Sequence, residues 1–285
     1  MSTTPNLADW VGRSEVIEDS VTATPCAALA ATLDWPAERP APGTPLPPLW
    51  HWLYFLPLAR QSEIGPDGHA KRGGFLPPVP LPRRMWAGSD FAFQEQIVVG
   101  DTLARTSTIV DVKEKSGRTG NLIFVRVRHE IRRNWSREVA LTEHHNIVYR
   151  DAPKPGDVAP PPLAAPAEYA WKRDINADDV LLFRYSALTF NGHRIHYDRK
   201  YVTQVEGYPG LIVHGPLLAT LLAGLGGRQA AGREATSFTF RALKPVFDLH
   251  PFSICGRRDG EHAADLWVRD HEGHKTMTAR MEFRP

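Results

Sequence analysis

Cysteine is nearly absent: Cys26 and Cys255 are the only two in 285 residues. They lie far apart with no Cys-x-x-Cys pair, which excludes a disulfide framework and a thiolate metal cage and suits a reducing compartment. No apolar run approaches the ~20 residues of a membrane helix. The longest, Leu217 to Leu225, is short and broken by Gly224. Charge of one sign is also missing. Acidic and basic residues nearly cancel at a formal net charge of +2, and no Lys/Arg run interleaves with aromatics, so a nucleic-acid partner is not expected. Met1 to Asp19 carries Asp9, Glu15, Glu18 and Asp19 among few apolar residues, a pattern unlike a signal peptide. Together these absences predict a soluble, cytoplasmic protein that binds neither membrane nor nucleic acid.

Proline, by contrast, is concentrated. The segment from Asp151 to Ala167 packs prolines among small residues; it cannot donate regularly to a sheet and reads as a linker. Residues 1–150 and 168–285 would then be two units. Pro36–Pro48 and Gly73–Pro82 read as loops. Each unit shows an apolar helical candidate followed by strands. In the first, Leu49–Arg60 precedes runs at 91–99, 102–115, 122–133 and 138–149. In the second, Pro216–Leu225 precedes 236–246, 252–258, 264–269 and 275–283. The strand assignments rest on period-2 alternation, as in Ile123, Val125 and Val127 with Arg126 and Arg128 between them. Ser116-Gly117 and Asp259-Gly260 are hairpin signals. A helix wrapped by one antiparallel sheet leaves an exposed edge, and a second copy in the same chain can pair with it. The expected class is α+β, with two helix-in-sheet units sharing one continuous sheet surface.

The stretch from Arg184 to Tyr201 is dense in polar and aromatic groups: Ser186, Thr189, Asn191, His193, His196, Tyr197 and Asp198. Several chemistries can be weighed. His193-x-x-His196 has metal-ligand spacing but lacks a third ligand at a familiar distance. Ser186 lacks the Gly-x-Ser-x-Gly elbow of a hydrolase nucleophile. The glycines at 224, 226 and 227 close a helix instead of following a strand, unlike a dinucleotide loop. His144-His145, in a strand, places one ring on each face and reads as structural. The order of two segments is more telling. A neutral imidazole can take a proton from water. Just downstream, the helix after His214-Gly215 offers unpaired N–H groups to a developing oxyanion, and Gly215 leaves room for a carbonyl to approach.

YSALTFNGHRIHYD and GLIVHGPLLATLL resemble the MaoC-like, or type 2, enoyl-CoA hydratases, and most closely their hydroxyacyl-thioester dehydratase type 2 branch; PLPRRMWAGSDFAF is similar to the same branch. The family hallmark is an Asp, then Asn-Pro, and a His five residues after the Asp. Here Asn191 stands at the Asp position, His193 and Arg194 replace Asn-Pro, and His196 is in register. The resemblance implies a double hot-dog fold and reversible hydration of an α,β-unsaturated acyl thioester at one active site per chain. It assigns His196 as base, Asn191 as the group that positions water and the Gly215 N–H to the oxyanion, with no cofactor or metal beyond the CoA of the substrate. Such enzymes include acyl-carrier dehydratases and hydratases of dicarboxylic CoA esters such as mesaconyl-C4-CoA and itaconyl-CoA. For a second carboxylate Arg184 and Arg194 are candidate partners; His193, Tyr197, Asp198 and His214 are candidate supporting residues, and Arg199, Lys200 and Lys244 candidates for the nucleotide end. A thioesterase, a silent acyl-CoA binding module and a homodimer remain open alternatives at this point.

Overall fold

The computed structural model describes residues 6–36, 39–117, 120–152, 161–230 and 232–285. Ten strands form one sheet: β1 (Ser14–Ser20), β2 (Arg83–Phe93), β3 (Thr102–Gly117), β4 (Gly120–Arg133) and β5 (Leu141–Arg150) from the first half, and β6 (Trp171–Ile175), β7 (Ala235–Ala242), β8 (Phe252–Arg258), β9 (Ala263–Arg269) and β10 (Lys275–Phe283) from the second. Their order is β1-β3-β4-β5-β2-β7-β10-β9-β8-β6, so each half repeats one topology and the halves join where β2 pairs antiparallel with β7. Asp90 faces Thr239 at that seam, and the continuous sheet expected from edge pairing is observed. In β4 the alternation holds: Ile123, Val125 and Val127 are buried while Arg126 is exposed.

Among the described residues four α-helices accompany the sheet: α1 (Ala23–Thr32), α2 (Asp179–Leu188), α3 (Arg199–Gln204) and α4 (Gly215–Arg228). α4 is buried on every side from Leu217 to Gly226 and packs on β7 to β10, which explains its lack of a polar face. Small residues permit this: a side chain at Gly226 would meet Leu266 and Met281, and one at Gly224 would meet Trp35. A single core runs through both halves, with Phe91 and Leu141 of the first half joined to Phe238 and Leu217 of the second. No helix among the described residues is long and apolar enough to cross a membrane.

The first half departs from expectation. Leu49–Arg60 is not a helix; it makes one 3-10 turn, Trp50–Leu53, and continues as an extended strap. Leu49 and Phe55 have φ of 71° and 56°, and prolines bracket the segment, so helical hydrogen bonding cannot propagate. The strand expected at 91–99 runs instead from Arg83 to Phe93, and the one at 236–246 stops at Ala242. β1, β6, α1 and α2 were not anticipated. Asp259-Gly260 does turn between β8 and β9, with Gly260 at φ 71°. The turn after Ser116-Gly117 includes residues 118–119, which lie outside the described residues, as do 153–160 of the Pro-rich segment. Beyond them, Ala164 bridges His274.

Candidate active site

Local turn chemistry shapes the 191–196 segment. Asn191 Oδ1 accepts the His193 N–H at 3.0 Å, an Asx turn that follows the end of α2. A 3-10 turn, Arg194–His196, then delivers His196 to the interior. Its Nδ1 lies 2.7 Å from the Ile212 carbonyl. A carbonyl only accepts, so Nδ1 carries the proton and Nε2 is the basic nitrogen of the neutral ring. His196 is 7% exposed, and its ring stacks on His214 with centroids 3.8 Å apart. Burial pushes the His196 pKa down to about 4, and that of His193 to about 2, so both rings are neutral at pH 7.

His214, fully buried, is fixed by a 2.8 Å hydrogen bond between its Nε2 and Ser186 Oγ. It precedes α4, whose first residues are Gly215 and Pro216. No atom lies within 4 Å of where a Gly215 side chain would project. Packing therefore does not require a glycine there, whereas a ligand carbonyl approaching the first helical amide would.

A cavity of about 740 Å³ opens between the halves. Asn191, Tyr197, Ser186 and Pro216 line it from the second half; His69, Arg84, Trp86 and His145 line it from the first. His193, His196, His214 and Gly215 are not among the residues lining it; the His193 and His196 ring centroids lie 5.4 Å apart. The remaining sequence candidates divide clearly. Arg194 pairs with Asp198 at 2.7 Å, donates to the Pro66 carbonyl and sits over Tyr201, while Asp198 caps α3, so both hold the loop. Tyr197 donates to the Gly192 carbonyl at 2.9 Å. Arg184 is exposed on α2 and does not line the cavity. Arg199 pairs with Asp179 and Asp248, Lys244 with Asp270, and Lys200 is exposed.

The resemblance implies that the first half shapes the acyl tunnel, but it names no site residue there. The turn Pro66-Asp67-Gly68-His69 docks on the motif loop: the Asp67 carbonyl accepts from Arg194 N at 2.9 Å. Gly68, at φ 89°, lies so close to the Gly192 carbonyl that any side chain would collide with it. His69 Nδ1 is 3.1 Å from Asp67 Oδ2, and its ring lies 4.0 Å from that of His193. Burial raises the Asp67 pKa, but its bonds to His69 outweigh this and hold the carboxyl ionised. Asp67, His69 and His193 bring ligand-type atoms within 4.8 Å of one another, with Asp67 engaging His69 directly. The turn signal Pro-Asp-Gly was visible in the sequence; its position against residue 192 was not. His145, read as structural, reaches the cavity wall and also neighbours buried Glu143, at 3.6 Å.

Three comparisons bear on this arrangement. A mesaconyl-C(4)-CoA hydratase from Chloroflexus aurantiacus is 44% identical over 274 residues, covering 96% of each chain. The mitochondrial hydroxyacyl-thioester dehydratase type 2 of Schizosaccharomyces pombe is 24% identical over 79% of this chain and 81% of its own. In fold, the crystal structure of HtdX from Mycobacterium tuberculosis superposes with a TM-score of 0.67 at 19% identity, covering 95% of this chain and all of that one. A MaoC-like dehydratase from Phytophthora capsici gives 0.67 at 12% identity over 98% of both. The fold is thus the double hot dog, and the family described as hydroxyacyl-thioester dehydratase type 2 matches residues 49–248. The chain belongs to the hydroxyacyl-thioester dehydratase type 2 family and is a hydro-lyase of unsaturated acyl thioesters.

Proposed function

We propose that this hydro-lyase hydrates a C5 dicarboxylyl-CoA of the mesaconyl-C4-CoA type, with His196 as base, Asn191 positioning the water and the Gly215 amide receiving the thioester oxygen. The observation that carries the catalytic part is the His196 tautomer: Nδ1 is tied to a carbonyl, leaving a neutral ring with a basic Nε2. In the hydration direction a water proton passes to Nε2 as the water oxygen bonds to the β-carbon. The π electrons move onto the thioester oxygen opposite Gly215, and the α-carbon then takes the proton back from the His196 imidazolium. One group serving both transfers suits a site with an amide at 191, because Asn orients water but does not exchange a proton as a carboxylic acid does.

The substrate class is supported by the 44% identity across nearly the whole of the hydratase from Chloroflexus aurantiacus. The decisive experiment follows the thioester-enone absorbance over a panel of enoyl-CoA esters. Mesaconyl-C4-CoA is expected to give a higher kcat/KM than crotonyl-CoA, and His196→Ala to lose at least about 100-fold on both, the lower range for a general base. Faster turnover of crotonyl-CoA refutes the dicarboxylyl assignment; a fully active His196→Ala refutes the mechanism. Release of free CoA thiol without hydration would point to a thioesterase instead.

A further inference from the structure

Among the described residues Arg84 is the only Lys or Arg lining the cavity, and no Asp or Glu lines it. It occupies β2 opposite Tyr149 of β5. Neighbouring arginines are engaged: Arg83 donates to the Tyr208 hydroxyl and the Glu206 carbonyl, Arg72 to the Val79, Leu81 and Pro82 carbonyls, and Arg194 to Asp198. Arg84 forms no ion pair among the described residues, and its side chain contacts the hydroxyl of Tyr149 alongside it. Its charge is nevertheless felt inside the site. Burial first, and Arg84 as a lesser cause, lower the pKa values of His69, His145 and His193, and His69 and His145 line the same cavity as Arg84. A cavity wall carrying one cation and no counter-ion suits an anionic ligand.

We propose that Arg84 binds the second carboxylate of the substrate's acyl group and thereby sets the preference for a dicarboxylyl thioester. The inference rests on the dicarboxylyl reading above. In a mesaconyl-C4 thioester that carboxylate is attached directly to the β-carbon, the atom the water attacks. Its partner must therefore lie near the motif and not at the far end of an acyl tunnel. Arg84 meets this condition because it lines the same cavity as Asn191 and Gly192 of the motif loop. Arg184 and Arg194, the candidates the sequence suggested, do not: one is off the cavity wall and the other is bound to Asp198. A planar guanidinium can hold the carboxylate with two parallel hydrogen bonds. Neutralising that charge also reduces repulsion between the β-carbon substituent and the incoming oxygen.

The test compares wild type, Arg84→Gln and Arg84→Lys on mesaconyl-C4-CoA and on crotonyl-CoA, which share CoA and differ in the carboxylate. Arg84→Gln is expected to lose about 100-fold in kcat/KM on the dicarboxylyl ester, the scale of a charge-assisted hydrogen bond, and less than about threefold on crotonyl-CoA. Arg84→Lys should recover part of the loss because it keeps the charge without the fork. Equal losses on both esters would assign the guanidinium to the CoA phosphates and overturn the proposal, as would unchanged kinetics on both. A wild-type enzyme that favours crotonyl-CoA overturns the dicarboxylyl reading itself, and the role of Arg84 with it. Arg84 is exposed, so thermal unfolding should be unchanged in both variants.

Discussion

Lowering the pH from 7.5 to 5 is expected to destabilise this protein well before its carboxylates titrate, and His196 provides a measure of the effect. The group is neutral in the fold, with a pKa near 4, and takes up a proton near 6.5 once the chain unfolds. The unfolded state therefore binds more protons between those values, so stability rises with pH across that window. The contribution is intact above about 6.5 and is lost as pH falls toward 4. At pH 5 a shift of this size costs about 2 kcal/mol, and at pH 7.5 almost nothing. His196 is almost fully buried, so solvent screening does not reduce the figure. His193 and His129, lowered to about 2 and about 3 chiefly by burial, act with the same sign and extend the window downward. Urea unfolding of wild type and His196→Gln at both pH values isolates the one group. Relative to wild type, the variant should gain about 2 kcal/mol on going from pH 7.5 to 5. A stability difference that does not change with pH would refute the argument. The same neutral ring predicts that the acid limb of kcat/KM lies below pH 5 and not near 6.5.

Two further perturbations separate chemistry from scaffolding. Gly215→Ala should leave the melting temperature unchanged, because no atom lies within 4 Å of the added carbon. It should lower kcat/KM by roughly 100-fold, on the scale of a lost oxyanion donor, by blocking approach to the helix amide. Glu143→Ala should instead lower stability by about 1–3 kcal/mol, as expected when buried donors lose their acceptor. Glu143 is 3% exposed and accepts from His51 at 3.2 Å, Trp52 at 3.3 Å and Ser89 at 3.4 Å. Thermal unfolding monitored by circular dichroism checks both.

The motif region was legible because its chemistry is local. Asn191, His193 and His196 lie within six residues, and the helix that completes the site begins just after His214. The sheet was legible where alternation was strict, as in β4, and less so where strands end: residues 94–101 carry on the apolar pattern of β2 while turning back toward β3. Contributions from the first half were hidden for a different reason. His69, Arg84, Trp86 and His145 are separated from Asn191 by 46 to 122 positions, and only the pairing of β2 with β7 and the docking of Gly68 on Gly192 bring them to one cavity. No periodicity encodes such a contact. The carboxylate partner was consequently sought among arginines close in sequence, and the structure turns attention to one on the opposite wall.

In the first half a strap stands where a helix was expected, and it borders the cavity. In the second half α4 packs Leu217, Leu221, Leu222 and Leu225 into the core on β7 to β10. An α-helix with its side chains is roughly 10–12 Å across. In the first half the corresponding place is taken by the thinner strap that follows Leu49, whose Trp52, Pro57 and Ala59 form one side of the pocket. The face beneath the strap cannot be wholly apolar, because part of it meets an open cavity. It carries Ser89, Ser107, His129, Glu143 and His145; burial raises the Glu143 pKa, but its contacts with the neighbouring histidines outweigh this and lower it. His51 and Trp52 of the strap bond to that carboxylate and so anchor the strap without a helix. The first half, with a strap where the second half has α4, thus lines one side of the cavity and places Arg84 and His145 on it.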